Sequence, residues 1–409
     1  MAAYDSYKDS GVKWLGKVPS HWEIKKMRSS FFEVKDLNSK RQTSNQLQFK
    51  FGTIISKPDC SVDSDVWDTI EKYTVVKPND IIINGLNLNF DLLSMRVGQV
   101  KDLGAITSAY VCIRPMNDVF SSYFLYLLKG MDARKVFHGF GSGIRATLSF
   151  KELKNKELAI PPREEQEAIV SYLDNVTAKI DEAIEAQQKM IDALNERKQI
   201  IITRAVSKGL NPDAPLRDSG IDWLGQIPAH WEIIPMRFLC KMKTGDKDTI
   251  MRDDNGKYPF FVRSPHIERI NTYSYDGEAV LMAGDGVGAG KVFHYVNGKF
   301  DYHQRVYNFH NFKRVIGEFL YYYLICNFRY KIEEGGAKST VDSVRLPWLK
   351  AFPICVLPKN EQNQIISYIH KSINPIDDGI ANCERMISLL QERKQIIINE
   401  VVTGKKKII

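Results

Sequence analysis

The chain has 409 residues, of which 44% are hydrophobic and 26% charged, and its formal net charge is +8. This length fits two or three domains. The sequence lacks an apolar run of the ~18 residues that a membrane span needs, and residues 1–8 lack the apolar core of a signal peptide. The six cysteines form no Cys-x-x-Cys pair, and the eight histidines show no metal-ligand spacing. We therefore expect a cytoplasmic protein with reduced thiols and no metal site.

An aromatic-rich segment opens each half of the chain. Residues 7–28 recur as residues 216–237, 209 positions later, and we call the two copies the aromatic frames. The first copy contains Gly11, Trp14-Leu15-Gly16, Pro19 and His21-Trp22-Glu23. The second contains Gly220, Trp223-Leu224-Gly225, Pro228 and His230-Trp231-Glu232. A duplicated turn needs anchors, so we predict structural roles for His21 and His230 in an aromatic corner.

Each aromatic frame is followed by an insert, and the two inserts, residues 30–150 and 238–345, are mostly dissimilar in sequence. Short β-like runs separated by Gly, Asn, Asp and Pro predict strands. The predicted strands are 73–76, 80–83 and 110–113 in the first insert and 279–282, 291–296 and 305–309 in the second. Short helices are predicted near 122–130 and 316–330.

A long helix is predicted to close each half. Prolines mark both starts, and the Glu165-Gln166 pair recurs as Glu361-Gln362, 196 positions later. Acidic residues in the first turn suit the helix dipole. The run 196–202 is identical to 392–398. The predicted apolar seam is Ile169, Leu173, Val176, Ile180, Ala183, Gln187, Met190, Leu194, Arg197 and Ile201, and, in the second helix, Ile365, Ile369, Ser372, Ile376, Gly379, Cys383, Met386, Leu390, Arg393 and Ile397.

This alternating spacing of four and three favours a coiled coil. About 40 residues at ~1.5 Å each would form a rod of ~60 Å. An amphipathic helix packed on its own domain is the alternative. Halves related by a twofold axis across the rod would pair their helices antiparallel. Pro375 is expected to kink the second helix or interrupt its hydrogen bonds.

No catalytic motif is complete. Residues 285–292 resemble a phosphate-binding loop, but Val292 stands where a Ser or Thr would bind magnesium. The nicotinamide fingerprint fails because Ala289 occupies a glycine position. The Asn/Asp-Pro-Pro-aromatic stretch of an adenine methyltransferase is missing at both Asn-Pro dipeptides. The sequence therefore favours a protein that is not itself an enzyme.

Both aromatic frames, each followed by an insert and by the Glu-Gln motif of a long helix, resemble the specificity subunit of type I restriction–modification systems. The resemblance covers essentially the whole chain. It implies that each half carries a target recognition domain for one part of a split DNA sequence. It also implies that the helices set the unread spacer and dock two methyltransferase subunits. S-adenosylmethionine, ATP and Mg²⁺ would bind partner subunits, with none in this chain, and motor–nuclease subunits would complete the complex.

The predicted fold class is α+β, with two mixed target recognition domains joined by two long helices in an antiparallel coiled coil of pseudo-twofold symmetry. The predicted domains are 1–160 (first recognition domain with its aromatic frame), 161–208 (central helix), 209–357 (second recognition domain) and 358–409 (C-terminal helix). The family resemblance further implies that the N-terminal frame joins the C-terminal region in space.

Candidate DNA contacts come from loops at matching places in the two inserts. Glycine lets backbone approach a phosphate, and Asn, Arg and Lys can bind base edges in the major groove. The candidates are Asn84, Asn87, Asn89, Arg96, Ser142, Arg145 and Thr147 in the first half and Asp285, Lys291, His303, Gln304, Arg305, Lys338 and Thr340 in the second. Plain surface turns with solvated cations are the alternative.

Two other functional classes stay open at this point. A nuclease or a fused or stand-alone methyltransferase would modify or cut DNA by itself. A coiled-coil scaffold without a DNA role would not bind DNA even with a modification partner. The sequence predicts the DNA specificity subunit, with double-stranded DNA as its ligand and no membrane partner.

Overall fold

The computed structural model describes residues 3–57, 64–88, 95–116, 119–140, 147–334 and 343–408. It divides into two compact units. Unit 1 comprises Met1–Gln187 with Arg385–Ile409, and unit 2 comprises Gln188–Glu384. Each unit therefore contains one insert and a part of both long helices. The C-terminal end of the chain belongs to the same unit as the N-terminal aromatic frame, as the family resemblance implied.

Unit 1 is built from short strands around a small set of helices. Its strands are β1 (Tyr7–Asp9), β2 (Lys17–Pro19), β3 (Glu23–Lys26), β4 (Phe31–Glu33), β5 (Leu47–Lys50), β6 (Thr53–Ser56), β7 (Thr74–Val76), β8 (Ile81–Ile83), β9 (Val97–Gln99), β10 (Gly104–Ile106), β11 (Val111–Pro115) and β12 (Glu157–Ile160). Its helices are α1 (Ser64–Ile70), α2 (Ser121–Ala133), α3 (Phe150–Leu153), the first part of α4 (Arg163–Lys208) and the end of α7 (Lys359–Val402).

Unit 2 likewise combines strands with a few helices, and its longest strands are longer than those of unit 1. Its strands are β13 (Leu216–Asp218), β14 (Gln226–Pro228), β15 (Glu232–Pro235), β16 (Lys241–Thr244), β17 (Tyr258–Phe261), β18 (Ile267–Ile270), β19 (Tyr275–Ala283), β20 (Phe293–Tyr302), β21 (Val306–His310) and β22 (Pro353–Val356). Its helices are α5 (Gly317–Glu334), α6 (Leu346–Ala351) and the remaining parts of α4 and α7. The strands and helices predicted from the sequence are thus confirmed, with shifts of a few residues at their ends.

The two dissimilar inserts share one sheet topology. In unit 1 the main sheet has the order β4-β11-β8-β9, and in unit 2 the equivalent strands have the order β16-β21-β19-β20. Unit 2 extends this sheet by β17, which pairs parallel with β20, and by β18. Strand order is thus retained where the side chains differ, so the duplication includes the inserts as well as the frames.

Strand pairing joins each aromatic frame to the start of a long helix. β3 pairs antiparallel with β12 so that Glu23 lies opposite Ile160, and β15 pairs with β22 so that Glu232 lies opposite Val356. Because β12 and β22 immediately precede α4 and α7, the pairing brings the frame to the first helical turn. The frame and the Glu-Gln motif, far apart in sequence, are therefore one structural element in each unit.

A carboxylate at the first turn of each long helix holds the aromatic corner. The Trp22 indole Nε1 donates to Glu165 Oε2 at 2.9 Å, and His21 Nε2 lies 2.5 Å from Glu165 Oε1. In unit 2, Trp231 Nε1 donates to Glu361 at 3.0 Å, and the ring of His230 lies at 2.9 Å from the same carboxylate. The structural role predicted for both histidines agrees with this geometry. A buried indole needs an acceptor, which explains why Glu accompanies Trp in both copies.

The glutamine beside each of these carboxylates stabilises the helix start. Gln166 Nε2 donates to the Pro161 carbonyl at 2.9 Å, and the fully buried Gln362 donates to the carbonyls of Leu357 and Arg314 at 2.8 Å each. The carbonyls of Pro161 and Leu357 directly precede α4 and α7, and the Arg314 carbonyl precedes α5, so these bonds satisfy backbone acceptors next to each helix start. The Glu-Gln motif therefore fixes the direction in which each long helix leaves its domain.

The long helices contribute to the cores of both units. Unit 1 buries Ile398, Val401 and Val402 of α7 in one cluster with Trp22 and the apolar face of α2. Unit 2 buries Ile202, Ala205 and Val206 of α4 with Trp231 and α5. Each domain is thus completed by the end of the helix that begins in the other unit.

The two helices run antiparallel where their contacts are described. In unit 2, a Cβ on Gly379 would lie 3.4 Å from Leu194, while Lys198 Nζ lies 2.6 Å from Asp377. Residue numbers therefore rise along one helix as they fall along the other. In unit 1, Lys394 Nζ lies 2.6 Å from Asp181. This pair is the duplication equivalent of Lys198 and Asp377, which confirms the predicted antiparallel packing.

The predicted seam is wrong in its middle. Met190 is 52% exposed, whereas the neighbouring Ile191 is 8% exposed. Met386 is likewise exposed at 47%, and Arg197 and Arg393 are exposed. A straight helix with 3.6 residues per turn drifts from a strict 3.5-residue repeat, so the buried stripe moves by one position over several turns. Pro375 lies inside α7 without ending it, so the predicted interruption does not divide the helix.

Candidate nucleic-acid interface

The first candidate loop of unit 1 is held by Arg96. This side chain is 6% exposed, and its guanidinium donates to the carbonyls of Asn84 at 2.9 Å, Leu86 at 2.8 Å and Asn87 at 3.3 Å. Arg96 was predicted as a DNA contact, but the structure places it beneath the loop. Three carbonyls occupy its donors because a buried guanidinium needs acceptors. Arg96 therefore supports the backbone of residues 84–87.

Two of the other candidates, Asn84 and Asn87, lie in this loop and differ in exposure. Asn87 is exposed and adopts a positive φ of 50°, a conformation that asparagine tolerates better than most residues. Asn84 is half-buried, and its Oδ1 accepts from the Leu86 backbone at 3.2 Å. The side chain of Asn87 is therefore the accessible one, while Asn84 is partly committed to the turn.

A backbone hydrogen bond joins this loop to the second candidate segment of unit 1. The Leu148 N–H donates to the Gly85 carbonyl at 2.9 Å. A Cβ on Gly85 would overlap the backbone of Leu148, so only glycine permits this approach. Thr147, the residue before Leu148, is exposed. Two loops that lie 63 residues apart in sequence, counted from Gly85 to Leu148, thus form one surface.

Unit 2 repeats this junction. The Val344 N–H donates to the Gly284 carbonyl at 2.8 Å, and the Gly284 N–H donates to the Arg305 carbonyl at 2.8 Å. Gly284 therefore connects the loop 283–290 both to the segment before α6 and to the polar cluster 303–305. The structure brings together candidates that the sequence analysis treated as separate.

The polar cluster of unit 2 has defined partners. Asp285 Oδ1 lies 3.2 Å from Arg263 Nη1, and Asp285 Oδ2 lies 3.5 Å from Arg305 Nε. Gln304 Nε2 donates to Asp248 at 3.1 Å. Asp285 is thus paired with two cations, and Arg305, 63% exposed at its side chain, is presented to solvent.

His303 supports the cluster from below. It is 3% exposed, and its Nδ1 accepts the Arg305 backbone N–H at 3.0 Å. Burial, together with the charge of Arg263, lowers the pKa of His303 from its usual 6.5. The neutral ring is therefore the form that holds the backbone of Arg305. His303 was predicted as a DNA contact. Because it is buried, it supports the backbone of Arg305 instead of facing solvent.

The remaining predicted contacts are either exposed or outside the described residues. Lys291 is exposed next to the loop 283–290. Asn89, Ser142, Arg145, Lys338 and Thr340 lie outside the described residues.

Sequence reasoning missed three residues at this surface. Arg263 pairs with Asp285 from a turn after β17 that carried no motif. Val287, 93% exposed, lies between Gly286 and Gly288 in the loop 283–290. Ile250, 87% exposed, follows Asp248, the partner of Gln304. For Val287, its place between two glycines was a signal in the sequence that could have marked an exposed loop. Arg263 and Ile250 had no such signal, because their surroundings depend on residues distant in sequence.

Metal and membrane sites find no support in the described part of the chain. Among those residues, no group of three or more His, Cys, Asp or Glu side chains could hold a metal ion. Within the same residues, no helix has the length and apolar character that crossing a membrane requires.

Comparison with known proteins gives a consistent result. The family model described as "Type I restriction modification DNA specificity domain" matches residues 19–191 and again residues 228–382. The specificity subunit of the type I restriction enzyme EcoDI from Escherichia coli is 28% identical over 180 residues, which are 44% of this chain and 39% of that protein. The match thus spans well under two thirds of that relative.

A second relative matches over nearly its full length. The putative type I restriction enzyme MjaX specificity subunit of Methanocaldococcus jannaschii is 20% identical over 434 aligned positions, covering 98% of each chain. A solved structure reported under "Structural basis underlying complex assembly and conformational transition of the type I R-M system" has a TM-score of 0.66 at 14% identity, covering 94% of this chain and 98% of that one. This last likeness shows the shared fold.

Proposed function

Because two copies of the family model together cover most of the chain, the protein belongs to the family of type I restriction–modification DNA specificity domains, and we propose that it selects the DNA target for such a system. Each unit recognises one part of a bipartite sequence. The catalytic steps belong to partner subunits, since the specificity family recognises DNA and does not itself catalyse. The proposal places the protein in the cytoplasm, where chromosomal DNA and reducing conditions occur together in a bacterial or archaeal cell.

One observation supports this proposal above the others. Both units use the same sheet order, and both join two loops by an equivalent backbone bond, Leu148 to Gly85 and Val344 to Gly284. The side chains around the two junctions differ. Equivalent scaffolds with different surfaces suit two half-sites of different sequence, so the complete target is asymmetric and not palindromic.

The proposed domain roles follow the duplication. Residues 1–160 and 209–357 recognise DNA, and the helical segments 161–208 and 358–409 set the unread spacer. The helices also dock two methyltransferase subunits, which bind S-adenosylmethionine. Motor–nuclease subunits that use ATP and Mg²⁺ complete the proposed complex on double-stranded DNA.

Methylome sequencing tests this proposal directly. The chain is co-expressed with its modification subunit, and modified adenines are mapped in the host DNA. We expect a sequence with two specified parts separated by unspecified base pairs. Host cells with the modification subunit alone are the control. Methylation or cleavage by the purified chain without partners would contradict the proposal and favour an enzyme.

A domain exchange tests the division of labour. Replacing residues 30–150 with the insert of another specificity subunit should change one part of the target and leave the other part and the spacer unchanged. The reciprocal exchange of residues 238–345 should change only the other part. Alteration of both parts by one exchange would contradict independent recognition.

A further inference from the structure

An acidic side chain lies within the exposed candidate surface of unit 2. Asp285 lies 3.2 Å from Arg263 and 3.5 Å from Arg305. Its side chain is 17% exposed, against 63% for Arg305. A carboxylate repels DNA phosphates and weakens general affinity. Its presence at a DNA-binding surface therefore calls for a specific role.

Asp285 is not needed to fix the backbone of this region. Backbone bonds already fix this region, because Gly284 bonds to both Arg305 and Val344, and Gly290 donates to the Ala283 carbonyl at 2.9 Å. Ion pairs that involve exposed arginines contribute little to stability. The loop backbone thus has hydrogen bonds that do not depend on the Asp285 carboxylate.

The geometry determines which donors of Arg305 remain available. A guanidinium has five N–H donors in a fixed planar fork. Asp285 Oδ2 lies 3.5 Å from Nε of Arg305, and among the described residues Nη1 and Nη2 donate no hydrogen bond. These two nitrogens lie side by side, at the spacing of O6 and N7 on the major-groove edge of guanine. With Asp285 beside its Nε, Arg305 therefore keeps Nη1 and Nη2 as a two-pronged donor for a ligand.

We propose that Arg305 recognises a guanine in one half-site and that Asp285 is the positioning residue that orients it. This inference rests on the proposed function and names the base that this part of the surface contacts. The backbone of Arg305 is fixed on both sides, by His303 Nδ1 at its N–H and by Gly284 at its carbonyl. Such support beneath a contacting side chain is what specific recognition requires.

Asp285→Asn should change affinity for random DNA and discrimination of guanine in different ways. Removing the negative charge should raise or preserve affinity for random DNA, because the surface becomes more positive. Discrimination between guanine and the other bases at one position should fall about threefold to tenfold, because Arg305 is no longer restrained. A merely structural aspartate would instead lower both quantities together.

Modified oligonucleotides test the base contact. The complex with modification subunits is assembled, its target is taken from the methylome, and each guanine is replaced in turn by 7-deazaguanine, which lacks the N7 acceptor. Wild-type complex should bind about tenfold more weakly for one of these positions. Arg305→Ala should bind the natural target more weakly and show no further loss with that oligonucleotide. The matched control Arg263→Ala should retain the sensitivity.

The failures are distinguishable. If no guanine substitution weakens binding, if neither half-site contains a G·C pair, or if Arg305→Ala keeps the full sensitivity, the role of Arg305 is overturned while target selection stands. If the assembled complex methylates no defined sequence, the proposed function itself is overturned, and the inference with it.

Discussion

Gly404, two residues after the end of α7, lies against Trp22 of the first aromatic frame, so the segment that follows α7 closes the aromatic corner. A Cβ on Gly404 would lie 3.2 Å from the Trp22 ring and closer still to Pro19, and its φ is +71°. In unit 2, Gly209, at the end of α4, has a φ of +72°, and a Cβ there would lie 3.2 Å from the Trp231 ring. In each unit, a glycine that follows a long helix therefore packs against the tryptophan of the aromatic frame.

We expect Gly404→Ala to destabilise unit 1 more than Gly209→Ala destabilises unit 2. Both substitutions force a side chain into the left-handed region, at about 1–2 kcal/mol. Gly404 additionally meets the rigid ring of Pro19. Hydrogen exchange measures each unit separately: Gly404→Ala should loosen residues 17–28 and spare 226–237. Equal loosening by the two variants would contradict the closure described above.

The junction glycines should control recognition one half-site at a time. Gly85→Ala places a side chain on the Leu148 backbone, and Gly284→Ala places one 2.9 Å from the Arg305 carbonyl. We expect the first variant to weaken or relax one half-site and the second to affect the other, since each displaces one loop. Methylome sequencing of the variants measures this. The matched control is Gly139→Ala, where a Cβ meets nothing within 4 Å; an equal effect there would refute the assignment.

Shortening both long helices should shorten the unread spacer. Removing residues 184–190 and 380–386 takes seven residues, ~10.5 Å of helix, from each, or about 3 base pairs. The antiparallel arrangement keeps Asp181 opposite Lys394 and Lys198 opposite Asp377 when both deletions are made. We expect unchanged half-sites with a shorter spacer in the methylome. The control, a deletion from one helix alone, should prevent assembly. Altered half-sites in the double deletion would contradict the proposal that the helices set the spacer.

Acidification should loosen the backbone of Arg305. Because the pKa of His303 is lowered in the folded protein, the unfolded chain binds more protons near pH 6. Stability from the neutral ring is therefore present above the usual pKa of 6.5 and is lost as the pH falls below it. Protonated Nδ1 cannot accept the Arg305 N–H. The groups around the ring are Arg263, Asp248, Asp285 and Arg305.

Hydrogen exchange of the Arg305 amide at pH 7.5 and pH 5.5 measures this effect, after correction for the intrinsic exchange rate. Protection should fall at the lower pH in the wild-type chain. His303→Asn offers an amide oxygen in place of Nδ1 and should show little pH dependence. Equal pH dependence in both chains would mean that His303 is not the responsible group.

The duplication and the secondary structure were predictable because they depend on neighbours in sequence. Periodic apolar residues give a long helix wherever they occur, and Gly, Asn and Pro end strands by their own backbone preferences. The paired frames also predicted the family, since motifs of Trp, His, Glu and Gln recur in fixed order. The seam was misplaced at Met190 because it depends on the exact turn of the helix.

The surroundings of the candidate residues were less predictable from the sequence. Arg96 and His303 were chosen as polar residues in loops, yet both are buried and bonded to backbone. Arg263 was overlooked, although it shares Asp285 with Arg305.

The sequence by itself determined that one architecture occurs twice and that its inserts differ. Only the tertiary structure decided which side chains support a loop and which face outward. The physical reason is that burial and hydrogen bonding depend on partners brought together by folding, such as Gly85 with Leu148 and Asp285 with Arg305. No local pattern in the chain records those distances.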